Sequence, residues 1–526
     1  MKVLVSDNIA EAGIRILQQA PGIEVNVKTG LHHDELKSII GEYDALVIRS
    51  ATKVDSDIIS AAKKLKVIGR AGIGLDNVDI SAATQKGIVV MNTPGGNAIT
   101  TAEHTIAMMM ALSRNIPQAT ASLKEGKWEK KKFQGRELFN KTLGIIGLGQ
   151  IGRIVADRAK GLKMKVIAYD PYIKPDVVEK MDIEPVSFEE LLKKSDYITI
   201  HTPKTKETTN LINRDTLKMM KKGSMLINCA RGGIVNENDL YDALVSGHLA
   251  GAALDVFSNE PPGRIPLMEL PNFICTPHLG ASTLEAQEKV AIDIANQIVL
   301  YLLHGTVKNA VNVPSISAEL MNILKPYVTL MEKMGLMQAQ LADSPIEEVR
   351  IDYAGTITDY DLAPLTTAFL KGLLTPALKD DVNFVNAPVI ASERGIKVIE
   401  SKSTTSEDFA TLITTTTKTL EADNVVAGTI FGKDRPRLVR INDFYVEAIP
   451  EGHNLLIYNL DRPGVIGKIG IILGKNGINI NRMQVGQESK KQQNVILLST
   501  DVSVNDDVLK ELHAQENVFS VKRIEL

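Results

Sequence analysis

Along the first three-fifths of the chain, short apolar runs alternate with amphipathic stretches, the signature of strands alternating with helices in parallel α/β layers. Val3 to Val5, Ala45 to Ile48, Val67 to Gly69 and Val89 to Met91 read as strands, and Ala10 to Gln19 as a helix. Leu143 to Ile146 is a further buried-strand signal, and the helical period of Ile151, Ile154, Val155, Ala159 and Leu162 follows it. Gly161 can end that helix, and Val166 to Tyr169 returns to a strand with Asp170 at its tip. Strand signals at Tyr197 to Ile200, Met225 to Asn228, Ala252 to Leu254 and Phe273 to Thr276 continue the pattern, with a helix at Glu237 to Val245 capped by Asn236.

Two long apolar stretches, Thr100 to Ser113 and Ser282 to Leu303, predict helices that carry the chain between two lobes and back. Arg114 to Lys141, with Trp128, is polar and reads as irregular: an arm that docks on a neighbouring subunit, or a solvated loop. Beyond residue 317 the pattern becomes mixed and threonine-rich. From Asn454 onward it reads strand, helix, strand, strand, helix, strand, a βαββαβ order. The expected fold is multidomain α/β, a doubly wound Rossmann domain inserted in a flavodoxin-like one. The expected divisions are 1–98 with 296–316, 99–295, 317–451 and 452–526.

Composition narrows the function classes. At 526 residues, 44% hydrophobic and net charge -3, the chain can bury several ordinary cores but offers no basic field for a polyanion. Aromatics at 4% argue against base-stacking surfaces, so nucleic acid is not an expected partner. No apolar run approaches the roughly 18 residues that span a bilayer, and MKVLVSDNIAE reads as a strand and loop rather than a signal peptide. No membrane partner and a cytoplasmic location are expected. Two cysteines, Cys229 and Cys275, supply neither a disulfide framework nor a metal cluster.

Gly147-Leu148-Gly149-Gln150-Ile151-Gly152 is G-x-G-x-x-G between a strand and a helix, with an acid closing the next strand. Gly147 allows a tight turn, Gly149 a close approach of backbone to a pyrophosphate, and Gly152 close helix packing. Asp170 would bind the ribose hydroxyls and repel a 2′-phosphate, which favours NAD over NADP. Gly72 and Gly74 lack a third glycine and an amphipathic helix directly behind them. Strand ends should gather along one edge, since crossovers in parallel sheets are right-handed, and so bring together Arg231, Asp255, Glu260 and His278. A histidine is the natural proton acceptor for an alcohol, a carboxylate fixes its tautomer, and an arginine grips a carboxylate. Arg49, Arg70 and Asn97 end strands or loops of the first lobe and are candidates for an anionic substrate. His104, within the first long helix, reads as a packed core histidine.

The glycine motif with Asp170, Arg231-Gly232-Gly233, Asp255, Glu260-Pro261-Pro262 and His278-Leu279-Gly280 resembles the D-isomer-specific 2-hydroxyacid dehydrogenases over residues 1 to about 314. The resemblance implies NAD as cofactor, Arg231 on the substrate carboxylate, His278 as proton shuttle and Glu260 as its partner. It further implies cofactor contacts at Thr202, Cys229, Ala230, Asp255 and Gly280. Leu460 to Val465 and Asn476 to Ile480 resemble an ACT domain. A 2-hydroxyacid dehydrogenase with an intervening and an ACT domain is similar to the long family members that oxidise 3-phosphoglycerate to 3-phosphohydroxypyruvate, the first step of L-serine synthesis. That likeness implies a homotetramer inhibited by L-serine, with Asn459, Asp461 and Asn479 as effector contacts at a pair of ACT domains. A glyoxylate or hydroxypyruvate reductase, and an NAD(H)-sensing binding protein, remain alternatives.

Overall fold

The structure is a computed structural model that describes residues 1–313, 318–406, 408–488 and 492–526. The first sheet is parallel: β1 (Lys2–Val5), β2 (Glu24–Val27), β3 (Ala45–Ile48), β4 (Val67–Arg70) and β5 (Val89–Met91), in the order β2-β1-β3-β4-β5. This is the flavodoxin-like doubly wound order. β3 is buried at every position because helices cover both faces, which is why its sequence is apolar throughout. β2 reads EVNV, is half-buried or exposed, and pairs only with β1. An edge strand of that composition has no apolar run to betray it.

The second sheet holds β6 (Thr142–Ile146), β7 (Lys165–Tyr169), β8 (Glu184–Pro185), β9 (Tyr197–Ile200), β10 (Met225–Asn228), β11 (Gly251–Leu254) and β12 (Phe273–Cys275). Its order, β12-β11-β10-β9-β6-β7-β8, is parallel throughout and reverses direction beside β6, the switch point of a Rossmann sheet.

Two helices join these lobes. Ala98–Ser113 packs on the second sheet through Ala102, Met108, Met109 and Leu112. Leu284–His304, capped by the Thr283 hydroxyl, returns to the first lobe. Its Val290, Ala291, Ile294, Ala295 and Ile298 share one core with β1, β3 and β4, so the return falls earlier than the expected division at residue 296. The helix Glu11–Gln19 crosses so closely that a methyl at Gly13 would lie 2.6 Å from the Ala291 carbonyl oxygen. The expected division between residues 316 and 317 lies outside the described residues. Arg114 to Lys141 is not wholly irregular: Ile116–Lys124 is a helix with proline in its first turn. Ile116 and Leu123 are exposed and Ser122 is its buried residue, so no buried apolar stripe marks the period.

The third sheet comprises β13 (Ile346–Gly355), β14 (Lys397–Ser403), β15 (Thr411–Thr419), β16 (Asp423–Phe431), β17 (Arg435–Ile441) and β18 (Phe444–Ala448), ordered β14-β13-β15-β16-β17-β18. The fourth comprises β19 (His453–Leu460), β20 (Ile480–Glu488), β21 (Gln493–Thr500) and β22 (Val518–Glu525), ordered β20-β21-β19-β22. The helices Val465–Lys475 and Asp506–His513 complete its βαββαβ order. Leu456, Val495, Leu497 and Ile524 of this last sheet share a core with the helix Ala318–Leu341, so the two C-terminal modules are packed as one block. That block is keyed to the first lobe. Val385 enters the core under β1 and β3, the Asn383 side-chain amide donates to the Gly87 carbonyl at 2.9 Å, and Gln85 bonds Glu393 at 2.9 Å.

Candidate active site

The glycine turn leaves β6 with Gly147 at φ +92°, where a side chain would be strained and a methyl would lie 2.6 Å from the His201 carbonyl oxygen. A methyl at Gly152 would lie 2.2 Å from the Gly147 carbonyl, so this glycine admits close packing of helix Gln150–Gly161. Gly149 differs: nothing lies within 4 Å of the place its side chain would occupy. It opens the helix without a side-chain cap, so first-turn amides and the positive helix end are left for an anion. Ile151 packs against the nucleotide-lobe core, and Gln150 reaches the loop at Gly95 of the other lobe.

Asp170 stands beside this turn. One carboxylate oxygen accepts the Leu148 N–H at 2.8 Å and the other the Tyr172 N–H at 2.9 Å, which fixes the acid at the tip of β7. The Thr202 hydroxyl is buried and finds no hydrogen-bond partner among the described residues, while its methyl lies where a side chain at Gly147 would go. A buried hydroxyl is costly unless bonded, so the open helix end, fixed acid and free hydroxyl together suit a dinucleotide.

Arg231 leaves the end of β10 and crosses to the first lobe. Its Nε donates to Asp76 at 3.0 Å and one Nη to the Ala230 carbonyl at 2.7 Å. A methyl at Gly74 would lie 2.0 Å from the other Nη, so the glycines that fail as a nucleotide turn are where the arginine passes. Asn228 braces the loop, donating to the Arg231 carbonyl and accepting from the Ala230 N–H. Cys229 points into the nucleotide-lobe core, its thiol pushed up to about 12 by burial and then by the Asp255 charge.

Facing Arg231 are Arg70 and Arg49. Arg70 is pulled down to about 10, first by burial and then by repulsion from Arg231, with Asp76 opposing and Arg49 adding to the repulsion. Its Nε is buried without a partner among the described residues, as is the Asn97 side-chain oxygen. The Arg49 backbone N–H donates to Asp7 at 2.6 Å and its guanidinium to the Asn8 carbonyl at 3.3 Å. Arginines crowded enough to repel one another form a site that an anion would relieve.

His278 follows β12 at φ +55°. Its Nδ1 lies 2.7 Å from Glu260, and that bond raises the imidazole pKa above its ordinary value against the opposing effect of burial. Burial pushes the Glu260 carboxyl up, but the His278 bond and the Phe257 N–H outweigh it, and the acid stays below its usual range. The charges of Asp255 and Arg231 are also felt at His278. With Nδ1 committed to Glu260, Nε2 is the nitrogen that can exchange a proton with a ligand.

Asp255 has 0% exposure and its oxygens are taken by the protein: the Leu279 and Gly280 amides at 2.7 and 2.8 Å, the Thr276 hydroxyl at 2.5 Å, and His104 at 3.2 Å. The carboxylate ties down the loop that presents His278. Gly280 is part of that tie, since a methyl there would meet Asp255 at 3.1 Å. Sequence reasoning missed Asp76, Asn228, Thr276 and the place of His104. Each is one polar residue among many, and only its neighbours in space distinguish it.

The proposed effector residues do not meet within one chain. Asn459 and Asp461 lie at the end of β19 with Asn494, which donates to Asp461 at 3.0 Å. Asn479 precedes β20 beside Asp501. In register, Asn494 and Thr500 are six residues apart on β21, roughly 20 Å at the usual rise. One small ligand can reach both ends only where two copies meet.

Family models match three stretches of the chain: "D-isomer specific 2-hydroxyacid dehydrogenase, NAD binding domain" over residues 106–280, "D-3-phosphoglycerate dehydrogenase intervening domain" over 323–442, and "ACT domain" over 453–517. Proteins named D-3-phosphoglycerate dehydrogenase from Methanocaldococcus jannaschii and Archaeoglobus fulgidus are 45% and 44% identical, each comparison covering 100% of both chains. The Bacillus subtilis protein of that name is 42% identical over 100% of this chain and 99% of its own. Among solved structures, the NAD-dependent formate dehydrogenase from Staphylococcus aureus in complex with NAD is 32% identical, with TM-score 0.55, covering 60% of this chain and 100% of that one.

Gly149→Ala and Gly152→Ala separate cofactor approach from packing. Gly149→Ala should keep its melting temperature and weaken NADH about tenfold or more, over 1 kcal/mol, read by fluorescence titration. Gly152→Ala should lose about 1–3 kcal/mol of stability from overpacking, read by denaturant unfolding. Unchanged NADH affinity in the first variant would remove the pyrophosphate from this turn.

Proposed function

The chain belongs to the D-3-phosphoglycerate dehydrogenases, and from that premise we propose how its own residues carry out the NAD-dependent oxidation of 3-phospho-D-glycerate to 3-phosphohydroxypyruvate. Arg231 holds the substrate carboxylate with its planar fork and polarises the carbonyl as it forms. His278, through Nε2, takes the C2 hydroxyl proton. Glu260 holds the ring by Nδ1 and stabilises the imidazolium that results. Bound NAD would supply the acceptor for the hydride that leaves C2 as the C2–oxygen double bond forms. Arg49 and Arg70 receive the phosphate, and Asn97, whose side-chain oxygen is buried without a partner among the described residues, is a further contact for the substrate. The helix N-terminus at Gly149 and Gln150 holds the cofactor's pyrophosphate, Asp170 its ribose, and Thr202 and Ala230 line its path. Asp255 and Gly280 hold the His278 loop. The observation that carries this reading is that Arg231 and the His278–Glu260 pair lie at one edge, across from a cluster of crowded cations.

The arginines that face the cleft favour a substrate with a second anionic group over the single carboxylate of glyoxylate or hydroxypyruvate. Ile99, Met110, Ile116, Leu123, Trp128 and Phe139 are exposed large apolar residues on the first interlobe helix, the helix after it and the arm, with Trp128 at 83%. Such a patch suits a second copy of the chain. Pairing there and, separately, between ACT domains closes a homotetramer. L-serine is the effector, held between two ACT domains by Asn459 and Asp461 of one copy and Asn479 of the other. No helix among the described residues is long and apolar enough to cross a membrane. The reading includes a cytoplasmic location, where a dehydrogenase of this kind would meet NAD and its phosphorylated substrate.

NADH formation at alkaline pH should favour 3-phosphoglycerate over D-glycerate by about a hundredfold or more in kcat/KM, from two charge-assisted contacts of ~1.5 kcal/mol or more each. L-serine should slow the wild type and leave Asp461→Ala unaffected. Equal rates for the two substrates would remove the phosphate site, and full inhibition of Asp461→Ala would move the effector elsewhere.

The pH dependence tests the base. Oxidation needs neutral His278, so activity should rise with pH through a pKa above the ordinary 6.5. In Glu260→Gln the imidazolium loses its largest stabilising contact, the pKa falls, and the acid limb of kcat should move to lower pH. A limb that stays in place would take the proton transfer away from His278.

A further inference from the structure

His104 lies in the Ala98–Ser113 helix, apart from the groups assigned to the reaction, and yet it touches the carboxylate that ties down the catalytic loop. Its Nε2 is 3.2 Å from Asp255 Oδ1 and 3.1 Å from Thr276 Oγ1. The Thr276 hydroxyl donates its one proton to the same Asp255 oxygen at 2.5 Å, so both neighbours of His104 Nε2 are acceptors. The ring therefore carries its proton on Nε2. His104 is one-fifth exposed at its side chain, and Asp255 is fully enclosed. Burial pushes the Asp255 carboxyl up, and the His104, Thr276, Leu279 and Gly280 bonds together hold it below its usual range. A buried carboxylate is held in place only while those bonds are made.

We propose that His104 is a positioning residue for the dehydrogenase reaction: its Nε2–H, delivered from the helix that joins the two lobes, fixes the Asp255 carboxylate and so sets the height and charge environment of His278. The proposal rests on His278 being the proton acceptor. The geometry gives His104 two effects. Mechanically, Asp255 holds the Leu279 and Gly280 amides and its own backbone carbonyl accepts the His278 N–H at 2.9 Å, so a shift of Asp255 is passed on to the base. Electrostatically, the groups that face His278 are Glu260 from the loop after β11, Asp255 at the end of β11 and Arg231 from the loop after β10. Of these, Asp255 alone has its charge offset by a donor on the interlobe helix.

The test compares His104→Leu, His104→Gln and Glu260→Gln by the pH profile of kcat, with melting temperature and NADH titration as controls. His104→Leu should lose about tenfold in kcat, the worth of one bond to a charged group. Its acid limb should move to higher pH, because an unoffset Asp255 pulls harder on the His278 proton. Glu260→Gln should move the limb the other way. His104→Gln, whose amide can donate to the same oxygen, should restore most of the rate and return the limb toward its wild-type place. If Glu260→Gln moves the limb and His104→Leu does not, the positioning role is overturned while His278 keeps its own. If neither moves it, both fall. Should His104→Leu fail to fold, Thr276→Val deletes the other side-chain donor to Asp255 and must raise the limb likewise, and an unmoved limb there overturns the proposal.

Discussion

Arg231 crosses a gap between two parallel sheets, and the site depends on that crossing. A guanidinium rooted at the end of β10 reaches Asp76 of the other lobe at 3.0 Å, through a space kept open by the missing side chain of Gly74. Right-handed crossovers put every strand end of each sheet on one edge, and two such edges facing each other make a cleft with loops on both walls. Arg49 and Arg70 end strands of one wall. Arg231 and Asp255 end strands of the other, and Glu260 and His278 lie in the loops that follow β11 and β12. Arg70 is depressed first by burial and then by the charge of Arg231, so the cleft between the walls is cationic and partly desolvated.

The acid-base pair is supported by a different arrangement, in which polarity is buried and fully bonded. Asp255 is enclosed and accepts from two backbone amides, a hydroxyl and an imidazole, while Glu260 is half-exposed and bonded to His278 and the Phe257 amide. One carboxylate holds the loop and the other tunes the ring. Two acids close in sequence therefore do different work because their surroundings differ. The regulatory end is joined to the catalytic end through packing. The ACT sheet shares a core with helix Ala318–Leu341, and Val385 from the same block enters the core of the first lobe. The ACT sheet is thereby packed, through that block, against the lobe that carries Arg49 and Arg70.

Much of this was legible from the residues. The periods of Ala98–Ser113 and Leu284–His304, the fully buried and mostly apolar β9, β10 and β11, and the glycine turn each have a local signal, because buried elements are mostly apolar at the right spacing. β2 and the helix Ile116–Lys124 escaped, since a half-exposed edge strand and a helix that buries only Ser122 need not be. Arg231, Glu260 and His278 could be named from type and order. Asp76, Thr276 and His104 could not, because their significance lies in which atoms they meet across about 20 to 170 positions of chain, a property of the folded sheet edges. Asn459, Asp461 and Asn479 show the converse: plausible by type, but at opposite ends of one sheet.

A crystal structure of the enzyme with NADH and 3-phosphoglycerate bound together tests the central claim most directly. The account predicts the substrate carboxylate on Arg231, its C2 hydroxyl on His278 Nε2 and its phosphate between Arg49 and Arg70. A substrate turned end for end, with phosphate on Arg231 and the C2 hydroxyl out of reach of His278, would contradict it.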